Sequence, residues 1–129
     1  MAWVQLVALL AAFEFFGFAL AVAGARRRYG VKAPAIAGNE EFERYFRVQQ
    51  NTLEQLIMFL PCLFIAAAYW NPPLVAAVGA VYLVGRLLYF RGYVRAAGQR
   101  HIGFLFSITP TIVLALGAIF GVVRALLGL

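Results

Sequence analysis

Apolar residues fall in four long runs along this chain, and polar residues gather at the ends of those runs and at a few positions inside them. The first run begins at Trp3, is broken within by Gln5 and Glu14, and stops at Arg26, Arg27 and Arg28, which suit a headgroup boundary. Pro34, Gly38 and Asn39 then break helical structure. Glu40, Glu41 and Glu43 follow, acidic residues of the kind that favour a helix N-terminus. The next helix is polar as far as Gln55 and apolar beyond it, until Asn71, Pro72 and Pro73 end it. A third run acquires Arg86, Arg91 and Arg95 in its later part, and a fourth has Pro110 near its middle as a kink. The pattern predicts helices over about 3–25, 41–70, 74–99 and 102–127.

A transmembrane helix needs roughly 20 mostly apolar residues. Four such spans nearly exhaust the 129 residues, of which 64% are hydrophobic and 12% charged. The predicted fold is therefore all-α, an integral membrane four-helix bundle formed by a single domain over residues 1–129. Any chemistry must sit between the helices or at the membrane surface. The net charge of +6 does not point to nucleic acid, because the basic residues flank apolar spans and no stacking platform accompanies them. Arg26, Arg27, Arg28, Lys32 and Arg44 flank the first loop, and Arg91, Arg95 and Arg100 flank the third. Positive loops stay cytosolic, so a multi-pass topology follows with loops one and three cytosolic and both termini on the opposite side. The N-terminal segment lacks a basic leader region and is expected to be a retained first helix. Cys62 is the single cysteine, which leaves no disulfide framework and no cysteine-based metal site.

The intramembrane polar residues are the candidates for function. Arg47, Asn51 and Glu54 are spaced by four and then three residues, so they share one face of the second helix, with Gln49 and Gln50 adding amides nearby. Tyr89, Tyr93 and Arg100, spaced by four and seven, share a face of the third if that helix persists. Facing each other, the two rows would form a cleft holding cationic, amide, carboxylate and phenol groups. That inventory suits a zwitterionic peptide: arginine grips carboxylates bidentately, and a carboxylate accepts from an ammonium group. The same rows also fit a purely structural role, in which inter-helix pairs hold the bundle together and Arg47 neutralises Glu54. Glu14 is expected to pack against a polar partner, His101 to be solvated, and Cys62 to be a buried thiol.

The stretch Glu41-Phe-Glu-Arg-Tyr-Phe-Arg-Val-Gln-Gln-Asn-Thr-Leu-Glu54 resembles the signature of the MAPEG family, the membrane-associated proteins in eicosanoid and glutathione metabolism. Val81-Tyr-Leu-Val-Gly-Arg-Leu-Leu-Tyr-Phe-Arg-Gly-Tyr93 is similar to the family's third-helix motif, and Ala25-Arg-Arg-Arg-Tyr-Gly-Val-Lys-Ala-Pro34 to its first loop. The resemblance is strongest to the branch holding leukotriene C4 synthase and the type 2 microsomal glutathione transferase. It implies a homotrimer with glutathione as co-substrate, bound between subunits by Arg26, Arg47, Gln49, Asn51, Glu54, Tyr89 and Tyr93. It also implies catalytic roles for Arg100, which would stabilise the thiolate, and for Arg27 as an acid or auxiliary activator. The implied activity is conjugation of glutathione to lipophilic electrophiles that arrive through membrane lipid, with leukotriene C4 synthase-like conjugation or reduction of lipid hydroperoxides alongside. No metal is required. A non-catalytic lipid-binding or scaffold protein of the same fold is the alternative.

Overall fold

The computed structural model describes all 129 residues, Met1–Leu129. Four helices account for nearly all of them: α1 (Ala2–Tyr29), α2 (Glu40–Tyr69), α3 (Pro72–Arg95) and α4 (His101–Leu126). Each is long and apolar enough to cross a membrane.

The helix ends follow local chemistry. Arg26, Arg27 and Arg28 occupy the last turn of α1, which extends past the predicted boundary to Tyr29. Basic side chains there oppose the negative end of the helix dipole, so charge at this point prolongs the helix. The side chain of Asn39 caps α2 by accepting from the Phe42 backbone N–H at 2.9 Å. Asn71 caps α3 in the same way from Leu74 at 3.2 Å, with Pro72 and Pro73 opening the helix where no N–H is needed. Pro61 and Pro110 lie inside α2 and α4.

One boundary departs from the sequence pattern. The third helix stops at Arg95 instead of running on to Gln99; Ala96 is extended, and a single 3-10 turn over Ala97–Gln99 leads into α4. The chain folds back onto Gly92, where a Cβ would collide with the Gln99 carbonyl oxygen. Arg100 therefore stands at the start of α4 and does not continue the Tyr89–Tyr93 face by helical spacing.

The helices pack α1 against α2 and α3, and α4 against α2 and α3, with the α3–α4 contact the most extensive. That contact is close because Gly103 of α4 rests on the Tyr89 backbone. At the centre, the Phe59 and Tyr82 rings stack with centroids 3.9 Å apart, surrounded by Val4, Leu63 and Leu114. Phe18, Val48 and Tyr89 form a smaller cluster that borders the polar region. Many large apolar side chains point outward, among them Phe13, Phe16, Leu116 and Ile119, as expected for surfaces that meet lipid.

Candidate functional site

The polar half of α2 and the later half of α3 enclose a cavity of about 280 Å³. From α2 it is lined by Arg47, Gln50, Asn51 and Glu54, which stand at i, i+3, i+4 and i+7 and so form one continuous helical stripe. Tyr89 and Tyr93 line it from α3, with their ring centroids 5.4 Å apart. Arg100 completes it from the start of α4, its guanidinium 5.8 Å from the Tyr93 ring centroid. The 3-10 turn also holds that guanidinium, because Arg100 Nη1 donates to the Ala97 carbonyl at 2.8 Å.

The wall is neither self-neutralised nor closed. Arg47 and Glu54 are exposed, and neither Arg47 nor Arg100 lies within 4.0 Å of a glutamate carboxylate. Two guanidinium groups against one carboxylate give the cavity a net positive charge. Its donors and acceptors remain available to a guest with an anionic and a cationic end.

A second cavity of about 290 Å³ adjoins the first and shares Asn51 and Glu54 with it. Its other walls are Gln55 and Met58 of α2 with Ile108, Thr111, Ile112 and Ala115 among the residues of α4, so most of its surface is apolar. The polar groups of the first cavity thus stand at the end of a groove suited to hydrocarbon.

Other predicted site residues lie elsewhere. Gln49, two positions after Arg47 and so off the stripe, is half-buried and outside the polar cavity, while Gln50 takes its place in the wall. Arg26 reaches the first loop, where Nη1 donates to the Ala35 carbonyl at 2.6 Å and the guanidinium sits 4.9 Å from the Phe42 ring centroid. Arg27 is exposed on the last turn of α1. Within a single chain neither arginine reaches the cavity.

Sequence reasoning gave Arg86 no part in the site. It is fully buried behind the wall, where its Nη2 donates to Asn51 Oδ1 at 3.0 Å and to Thr52 Oγ1 at 2.8 Å. Its guanidinium lies 4.1 Å from the Tyr89 ring centroid. The available signal was a permanent charge inside an apolar span, on the same face as Tyr82, Tyr89 and Tyr93; such a charge has to find partners. Glu14 is half-buried in α1, and its Oε1 is buried without a protein partner.

The MAPEG family profile matches residues 4–120. An uncharacterized protein of Synechocystis is 44% identical over 93% of this chain and 88% of its own length. Human microsomal glutathione S-transferase 2 is 40% identical over 94% of this chain and 82% of its own. Bovine leukotriene C4 synthase is 42% identical over 73% of this chain and 67% of its own. With four helices able to span a bilayer and a family match across most of its length, the chain is an integral, multi-pass membrane protein and belongs to the MAPEG family.

Proposed function

We propose that the protein is a membrane-bound glutathione transferase that joins the glutathione thiolate to lipophilic electrophiles. The observation that carries this reading is the pairing of a cationic cavity, lined by Arg47, Asn51, Glu54, Tyr89, Tyr93 and Arg100, with an apolar groove that begins at its edge. Arg47 grips a carboxylate of the tripeptide, Glu54 accepts from its ammonium group, and Asn51 with the tyrosines supplies neutral hydrogen bonds. The relatives named as glutathione transferase and leukotriene C4 synthase support the same substrate class.

Arg100 is the group that activates sulfur. A free thiol of pKa about 8.5 is mostly protonated at neutral pH, whereas the thiolate is the nucleophile. A permanent cation beside the sulfur favours ionisation, and each unit of lowering corresponds to about 1.4 kcal/mol of preference for the anion. The electrophile partitions into lipid and enters along the apolar groove, which sets its reactive carbon against the thiolate. The thiol proton passes to water; the sulfur–carbon bond then forms as the leaving group departs with its bonding electron pair, or as an epoxide carbon–oxygen bond breaks and the oxygen takes up a proton from water.

The exposure of Arg47, Glu54 and Arg100 fits a cleft closed by a second copy of the chain. In a homotrimer, Arg26, Arg27 and Gln49 would come to the cavity from that copy, with Arg27 acting as an acid or auxiliary activator. Basic flanks on the first and third loops support a cytosolic opening, with both termini on the far side.

Conjugation of chlorodinitrobenzene by the detergent-purified protein tests the proposal. Glutathione-dependent turnover above the uncatalysed rate is expected, with release of chloride. Its absence, together with absence of glutathione binding, would leave a lipid-binding or scaffold protein of the same fold.

A further inference from the structure

Asn51 is part of the cavity wall, yet half of its amide is already engaged from behind. Arg86, 0% exposed, donates to Asn51 Oδ1 at 3.0 Å and to the fully buried Thr52 at 2.8 Å. A guanidinium has five N–H donors and no acceptor, so it can hold only the oxygen end of an amide. A guanidinium removed from water also holds that oxygen tightly, because losing the bond would leave a buried charge with one partner fewer. The nitrogen of Asn51 is then the free end of the amide at the wall. The same guanidinium lies 4.1 Å from the centroid of the Tyr89 ring, whose other neighbours include Tyr93 at 5.4 Å. One side chain of α3 therefore constrains a wall residue on each of the two helices that enclose the cavity.

We propose that Arg86 is a positioning residue: it fixes the Asn51 amide with its oxygen inward and its nitrogen toward the cavity, so that Asn51 meets the guest only as a donor. The group it recognises is accordingly a carbonyl or carboxylate oxygen of the tripeptide. Arg86 itself does not line the cavity. This inference rests on the glutathione reading above.

A purely structural arginine and a polarity-setting one make different predictions for chemically graded variants. R86K keeps a cation that donates and cannot accept. R86Q supplies an amide that can either donate or accept, so the Asn51 side chain is free to turn over. N51D keeps the bond to Arg86, strengthened by charge, while replacing the free nitrogen with an acceptor oxygen. Glutathione binding is measured by titration calorimetry on purified parent, R86K, R86Q and N51D, with thermal unfolding followed in parallel. The expected result is binding at least about tenfold weaker in R86Q and N51D, equivalent to about 1.4 kcal/mol, with R86K closer to the parent than R86Q and N51D unfolding at the parent's temperature or above. Parent-like affinity in N51D, or equal affinity in R86Q and R86K, overturns the inference and leaves the glutathione reading intact. A parent that binds no glutathione overturns both. Where R86Q yields no folded protein, N51D decides.

Discussion

The Arg100 guanidinium lies 5.8 Å from the Tyr93 ring centroid, although a helix end, an extended residue and a 3-10 turn separate the two in sequence. The turn brings a permanent cation onto the tyrosine face of the polar cavity, and the Ala97 carbonyl steadies it there.

If that cation ionises the bound thiol, Arg100→Ala should lower turnover while sparing most of the glutathione affinity. A thiol of pKa about 8.5 is only about 3% ionised at pH 7, so loss of ionisation alone accounts for up to about 30-fold. The sign of the pH dependence follows: without the cation the thiol titrates higher, and the variant should recover toward the parent as pH rises past 8.5. Steady-state rates of chlorodinitrobenzene conjugation between pH 6 and 9 check this, and an unchanged profile would remove Arg100 from sulfur activation.

On the proposed function, Arg47 would have a separable role. Arg47→Ala would remove the proposed charge-assisted contact to a carboxylate, and because the side chain is exposed the expected loss is about tenfold in glutathione affinity, or about 1.4 kcal/mol. Titration calorimetry that returned the parent's affinity would exclude Arg47 from the site.

The apolar groove predicts selectivity by acceptor size. Ala115 is one of its walls, and Ala115→Phe would fill part of its roughly 290 Å³. The KM for a long-chain lipophilic electrophile should rise several-fold, with chlorodinitrobenzene less affected and glutathione affinity unchanged. Equal effects on both electrophiles would place the acceptor elsewhere.

Stability at the α3–α4 contact depends on the missing side chain of Gly103. A Cβ there meets the backbone N and Cα of Tyr89, atoms that cannot move without displacing α3. Gly103→Ala is expected to destabilise the protein by about 1–3 kcal/mol, as overpacking does, and to weaken glutathione binding because Tyr89 lines the cavity. Thermal unfolding in detergent measures the first effect and calorimetry the second.

Residue spacing encodes part of this architecture. The shared face of Arg47, Asn51 and Glu54 follows from helical periodicity, which also admits Gln50 and excludes Gln49. Four helices able to span a bilayer follow from the length of the apolar runs. The break after Arg95 left only Gly98 as a mark, weak because Gly92 and Gly85 stand inside the same helix, and the fold-back depends on how closely Gln99 approaches Gly92. Arg86 was hidden for a different reason. It belongs to a helix whose later half carries other arginines, and a buried guanidinium cannot be told from a headgroup-facing one without knowing which acceptors the neighbouring helix brings opposite it. The linkage of Arg86 with Asn51 and Thr52 is a pairing between α2 and α3 that local pattern does not encode.

That pairing also bears on how the chain enters its membrane. Alone in lipid, α3 would carry an arginine faced only by its own Tyr89 ring and without the acceptors of α2, and insertion of such a residue costs about 2.5–3.5 kcal/mol near a helix centre. The acceptors that offset this cost belong to α2, which precedes α3 and is joined to it by the Asn71 turn. Biogenesis should therefore favour integrating the two segments as a hairpin. By accepting from Arg86, Thr52 would then ease its neighbour's passage across the bilayer interface, before any substrate is met.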